Sequence, residues 1–201
     1  MHLYQVFRSS STLAGNNKRL QFCPRCGLAF AEKELEEFAR QTCRQCDFVS
    51  YLNPDPGITV LIRSSEKKIL IGKRSSTARY GNKWCLPGGY IEYEESFIET
   101  AHREVREETG LEIRIEGIVN VVSNLLDDYH HTIVIILIGD VAGGRQQPGD
   151  DLTELRWIDR DQHERMDYAF AADRKIIDCY FQGSMRVLPI DKRFEPSSSA
   201  V

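Results

Sequence analysis

The sequence predicts an α/β fold, a mixed sheet with a helix on each side, preceded by a small module built on four cysteines. Apolar stretches of strand length at 58–62, 68–73, 112–122, 132–141 and 155–158 are separated by turn-forming residues. Phe97, Ala101 and Val105, and later Ile176, Ile177, Tyr180 and Phe181, recur at helical spacing. The cysteines pair as Cys23-Pro-Arg-Cys26 and Cys43-Arg-Gln-Cys46. Elements of this kind bury their apolar faces most simply as helices packed on both sides of one sheet. A chain of 201 residues suffices for one such core and a small appendage.

Residues 1–21 are polar and Ser-rich, with Arg8, Lys18 and Arg19 and no acidic residue. They read as a flexible or loosely packed arm, a transit peptide being the other reading. Residues 22–50 form the cysteine module. Sixteen residues separate its two pairs, a zinc-ribbon spacing. Four thiolates at about 2.3 Å would close a tetrahedral Zn²⁺ site with no open position, a structural site. Two disulfides or a redox dithiol are the alternatives, and the lack of a visible secretory signal counts against disulfides. The four glutamates within 31–40 argue against a phosphate-binding face there. Cys85 and Cys179 read as packing residues.

The main domain is expected over 51–185. Asn53-Pro-Asp-Pro-Gly57 reads as a turn-rich hinge and Ser64-Ser65-Glu66 as the turn of the first two strands. Trp84 to Leu86 leads into Leu86-Pro-Gly-Gly89, where the small residues let backbone approach a metal or a phosphate. The helix after it carries Glu94, Glu95 and Glu99 near its positive end, and Gly110 reads as its left-handed terminator. Gly143-Gly144 and Pro148-Gly149 break the chain into a loop before Leu155 to Ile158. Ala169 to Phe181 reads as the last helix, and 186–201 as a tail whose end, 196–201, has a disordered composition.

Apolar residues make up 41% and charged residues 28%, as in a soluble globular protein. The longest apolar run, Ile133 to Ile138, falls far short of the ~20 residues that cross a bilayer. The net charge of −4 offers no electrostatic case for nucleic acid or an anionic membrane. A cytoplasmic protein is expected, and a homodimer is compatible with the sequence.

Glu104, Glu107 and Glu108 stand three and four apart, which stacks their side chains on one edge of a helix. Three anions so close call for cations between them, and hard oxygen donors suit Mg²⁺ or Mn²⁺. An ordinary acidic helix face is the alternative. Against it, the glycine loop, Arg103-Glu104 and Glu107-Glu108 follow in order. From Gly89 to Leu111 the chain fits Gly-x5-Glu-x7-Arg-Glu-U-x-Glu-Glu-x-Gly-U, with U aliphatic, at every defined position. It resembles the Nudix hydrolases.

The resemblance implies an α/β/α sandwich over roughly 57–182 and hydrolysis of a nucleoside diphosphate linked to another group, by water attack on phosphorus. It implies that Glu104, Glu107, Glu108 and the Gly88 carbonyl hold Mg²⁺ or Mn²⁺, with Glu95 supporting the metal shell and Arg103 orienting the glutamates. Glu104 is one candidate base and Glu154, before the late strand, another. Arg74 and Arg79 are candidates for the pyrophosphate, Tyr90 for the base, and one of His130 and His131, taken as His131, for phosphate or ribose. The ribbon followed by such a domain resembles NADH, FAD and ADP-ribose pyrophosphatases. The Ser-Gln-Pro-Trp-Pro-Phe-Pro signature of the NADH branch is absent from 120–131. ADP-ribose or a related dinucleotide or nucleotide sugar therefore ranks first, then FAD, then a modified nucleoside triphosphate. A nucleotide-sensing module without turnover is the non-enzymatic reading.

Overall fold

A computed structural model describes residues 5–8, 20–30, 40–127 and 130–191. The expectations for most of the arm, for the glutamate-rich 31–39, for Tyr129 and for the 196–201 tail lie outside these residues. The strands are β1 (Val6–Arg8), β2 (Gln41–Thr42), β3 (Val49–Ser50), β4 (Asp55–Arg63), β5 (Ile69–Arg74), β6 (Trp84–Cys85), β7 (Leu111–Leu125), β8 (His131–Gly144), β9 (Leu152–Ile158) and β10 (Leu188–Pro189). The helices are α1 (Phe97–Thr109), α2 (Arg160–His163) and α3 (Ala171–Phe181). The main sheet runs β1-β7-β8-β4-β5-β6, with β9 on β5 and β10 on β7. It is mixed: β4 runs parallel to β8 and β1 to β7, and the remaining pairs are antiparallel.

Successive strand residues point to opposite faces, so a strand covered on both sides reads as an unbroken apolar run. β4 shows this. Ile58, Val60 and Ile62 pack with Ile98, Ala101 and Val105 of α1, and Leu61 packs on the other side with Ala172, Ile176 and Ile177 of α3. The fold is the expected α/β/α sandwich. Each fully buried Ile or Leu of these two cores contributes about 1.5–3 kcal/mol.

Three local expectations change. Asp55-Pro-Gly57 is the start of β4, not a hinge, because these residues already pair in register with Thr132-Ile-Val134 of β8. Gly143-Gly144 belongs to β8, and the loop begins at Arg145. Phe97 is only half-buried, and Ile98 takes the buried position on α1. Both ends of the chain also contribute to the sheet. Val6–Arg8, from the expected arm, and Leu188–Pro189, from the expected tail, pair with β7.

The cysteine pairs form two matching knuckles. The N–H of Cys23 donates to Leu28 O, and that of Gly27 to Cys23 O. Cys43 repeats the pattern with Phe48 O and Asp47. Gly27 and Asp47 take the left-handed backbone that each turn needs, at φ +75° and +56°. Cys85 and Cys179 are buried in the main domain.

Candidate active site

α1 is well terminated, which fixes the phase of its carboxylates. Ser96 accepts from the Glu99 N–H, and the Glu99 carboxylate accepts from the Ser96 N–H, a capping box. Gly110 closes the helix at φ +68°. The glycine loop docks between α1 and β4. The Ile58 N–H donates to Gly89 O at 2.9 Å, and the Val60 N–H to Pro87 O at 2.8 Å. Gly88 is required by backbone contact, whereas a side chain at Gly89 would displace the Glu104 carboxylate. A Cβ on Gly88 would lie 2.3 Å from Ile58 O, and one on Gly89 2.3 Å from Glu104 Oε1.

Arg103 organises the helix edge. Its guanidinium grips Glu95 with two hydrogen bonds of 2.7 and 2.8 Å and donates to Glu104 at 2.8 Å and Glu107 at 3.0 Å. A planar, forked cation suits this many carboxylate contacts. It holds the Glu95 carboxyl down to about 2, with help from the Thr100 hydroxyl. Glu104 and Glu108 are 9% and 3% exposed. Burial pushes both carboxyls up, against Arg103 for Glu104 and against the Gly88 N–H, 2.8 Å away, for Glu108. Glu107 is half-exposed beside Arg103.

Glu108 meets two residues that sequence reasoning missed. Its carboxylate and those of Asp150 and Asp151, on the loop before β9, lie within 4.8 Å of one another. The loop is tied to the end of α1 by Gln147 N–H to Thr109 O and Gly149 N–H to Glu108 O, at 2.9 and 3.0 Å. A Cβ on Gly149 would lie 2.3 Å from Glu107 O, so only glycine allows this approach. Arg74 donates to one oxygen of Asp151 at 2.6 Å. The other oxygen, Asp151 Oδ1, is buried with no hydrogen-bond partner. An orphaned carboxylate oxygen among three carboxylates is what a hard divalent cation satisfies, so the donor set fits Mg²⁺ or Mn²⁺.

These groups open on a cavity of about 440 Å³ at the end of the sheet. Arg74, Arg79, Gly88, Gly89, Tyr90 and Glu104 line it with the acidic group. Glu95 and Arg103 stand behind the glutamates. Three other expected residues lie outside the cavity wall, and the first, Glu107, points to Arg103 at the helix edge. Glu154 pairs with Arg156 on β9 and is not part of the cavity wall, because the carboxylates that reach it come from the preceding loop. His130, not His131, lines the cavity, the strand alternation resolving the pair the other way. His131 Nε2 is buried without a partner. Trp84 is a core residue beneath the glycine loop.

The NUDIX domain profile matches residues 53–179, well over half of the chain. The chain belongs to the Nudix family. It is 34% identical to an ADP-ribose pyrophosphatase of Methanocaldococcus jannaschii, over 54% of this chain and 64% of that protein. It is also 34% identical to the NAD-capped RNA hydrolase NudC of Mannheimia succiniciproducens, over 48% of this chain and 37% of the relative. The chain thus spans less than two thirds of either. The crystal structure of a Nudix hydrolase from Nitrosomonas europaea superposes with a TM-score of 0.67 at 24% identity, over 81% of this chain and 91% of that one, which shows the Nudix fold.

The cysteine knuckles form a second donor group. All four sulfurs lie within 4.8 Å of one another, with Cys23 to Cys46 at 3.6 Å and Cys26 to Cys43 at 3.5 Å. A disulfide needs about 2.05 Å. A tetrahedron of 2.3 Å Zn–S bonds has edges of about 3.8 Å, so the set fits zinc. Among the described residues no helix is long and apolar enough to cross a membrane.

Proposed function

We propose that the chain hydrolyses a nucleoside diphosphate linked to a second group, with ADP-ribose or a related dinucleotide or nucleotide sugar as first substrate class. The observation that carries this is the meeting of Glu108, Asp150 and Asp151 around an unsatisfied oxygen at one side of the cavity, with Arg74 and Arg79 on its wall. The likeness to a relative named an ADP-ribose pyrophosphatase supports the order of substrates.

Glu104, Glu107 and Glu108, with the Gly88 carbonyl and joined by Asp150 and Asp151 beside Glu108, would hold Mg²⁺ or Mn²⁺. A bound divalent ion lowers the pKa of water and offsets charge on phosphoryl oxygens. Arg103 keeps Glu95, Glu104 and Glu107 in place, and Arg74 and Arg79 meet the diphosphate. Water adds to one phosphorus, the anhydride oxygen leaves with the other phosphate, and the proton of the water passes to Glu104 or Asp150. The cysteine group would hold one structural zinc.

The test is a screen of ADP-ribose, FAD, NADH, diadenosine polyphosphates, nucleotide sugars and oxidised dNTPs with Mg²⁺, Mn²⁺ or EDTA. Metal-dependent release of a nucleoside monophosphate from an ADP-linked compound is expected. Binding without turnover of any compound at saturating metal would replace this reading with that of a nucleotide sensor.

A further inference from the structure

Beside the acidic group the cavity carries an aromatic corner, with the Arg74 guanidinium over the Phe170 ring, 5.8 Å from its centroid. Tyr80, in the turn between β5 and β6, and Phe170, at the start of α3, meet edge to face with centroids 5.5 Å apart. Both are half-buried and both line the cavity. Tyr80 is held at φ +57°, a left-handed conformation that costs a bulky residue about 1–3 kcal/mol and persists only where the surroundings enforce it. The neighbouring Arg79 lies over the Tyr80 ring, 5.3 Å from its centroid, and is ion-paired with Asp127 just beyond the end of β7.

That pair fastens the aromatic corner to the strand end carrying Asn124. On β7 and β8, Val122 stands opposite Val134 and Asn124 opposite Thr132, and directly opposed residues share a face. Val122 packs in the core under α3 with Val134 against it. The next pair along this face, Asn124 and Thr132, lines the cavity. Asn124 is 7% exposed, and its amide makes no hydrogen bond among the described residues. Its donor and acceptor are therefore available to a ligand in the cavity that Tyr80 and Phe170 also line.

We propose that Tyr80, Phe170 and Asn124 form a purine-binding subsite: the base lies against the aromatic corner and the Asn124 amide reads its edge. The location of the subsite is independent of the hydrolase reading, and its consequence for substrate choice rests on that reading. An aromatic wall binds any flat base but favours the larger purines. An amide carries a donor and an acceptor side by side, matching the amino group and ring nitrogen of adenine. A carboxylate in its place would accept twice and match the two adjacent donors on the pairing edge of guanine.

ADP-glucose, GDP-glucose and UDP-glucose differ only in the base and separate these effects. The wild type should use ADP-glucose at least about 10-fold better than UDP-glucose in kcat/KM. Phe170→Ala should raise KM for the purine substrates about 10-fold, the scale of one lost stacking contact, and narrow that preference. Phe170→Leu, which keeps apolar volume without a flat face, should act in the same direction if the alanine variant melts early. Asn124→Asp should shift the ADP-to-GDP ratio about 10-fold toward GDP-glucose. Calorimetric titration with AMP and UMP needs no turnover. AMP binding better than UMP, weakened by Phe170→Ala, supports the subsite even if no sugar nucleotide is cleaved, an outcome that would defeat only the hydrolase reading. Turnover of all three sugars at equal efficiency, or variants that slow all three equally, would overturn the subsite and leave the hydrolase reading intact.

Discussion

The four cysteines and the three grouped carboxylates contrast in where their donors come from and in what faces them. The sulfurs sit on two similar turns, each closed by its own backbone hydrogen bonds, and they face one another. The carboxylates come from a helix and a distant loop, and they face a cavity. Four sulfurs around one point leave no position for a substrate. The acidic group keeps an unsatisfied oxygen and adjoins two arginines. Closure suits the first group to a structural role, and openness suits the second to chemistry.

The contrast breaks most sharply at Glu108. Glu108→Gln keeps the shape and an acceptor for the Gly88 N–H but removes the central charge. kcat should fall by at least about 10³-fold, and metal affinity should fall with it. The metal-free variant should melt no lower than wild type in EDTA, since burial already disfavours the ionised Glu108. A variant that kept most of its turnover would remove the carboxylate group from the mechanism.

The next effect separates loop from strand. Asp151→Asn should weaken Mg²⁺ binding and lower kcat by about 10²-fold, with partial rescue at high Mn²⁺. Glu154→Gln should change kcat less than about 3-fold, because Glu154 is engaged with Arg156 outside the cavity wall. Metal titrations of both variants decide it, and the opposite ranking would return the outer role to Glu154.

Why the sequence points to Glu154 and misses Asp150 and Asp151 is a matter of how each region is specified. The glutamates of α1 lie in one continuous helix, where spacing alone fixes their relative direction. The aspartates owe their position to Gly149, which lets the loop backbone touch the last turn of α1. Pro148-Gly149 reads as a turn in sequence, and nothing local says what that turn leans on. An acidic pair directly after it was the available signal. The histidines fail in the same way: alternation says that one of the two faces inward, but only the pairing of β7 with β8 says which. The main strands and α1 were legible because they are buried on known faces. β1 and β10 were not, because two or three residues carry no period.

On the cysteine side the expected effect on catalysis is small. Cys43→Ser should lose one zinc per chain by metal analysis and loosen the ribbon, while kcat changes less than about 3-fold. No ribbon residue lines the cavity among those described. Loss of zinc accompanied by a 10²-fold loss of kcat would show that the closed site supports the open one.

The smallest effect concerns Asp173, a fully buried carboxylate on α3 that lines the cavity and accepts the Leu86 N–H at 3.0 Å. Burial raises its pKa from 3.8 to about 7, against the opposing Leu86 hydrogen bond. Between these two values the folded chain keeps a proton that the unfolded chain has lost. The stability from this group is therefore full below about pH 4, declines as pH rises toward 7, and is gone above it. The limiting slope is one proton, about 1.4 kcal/mol per pH unit. Asp173→Asn keeps an oxygen for the Leu86 N–H and removes the titration. Glu104 and Glu108 also titrate upward, so the quantity to read is the difference between the two proteins, both in EDTA. Urea unfolding at pH 5, 6, 7 and 8 should show the variant gaining on wild type as pH rises, with the gain levelling off above about 7. A difference that stays constant across the series would mean that Asp173 is ionised throughout, with its charge held by Arg74 and the Leu86 N–H despite burial.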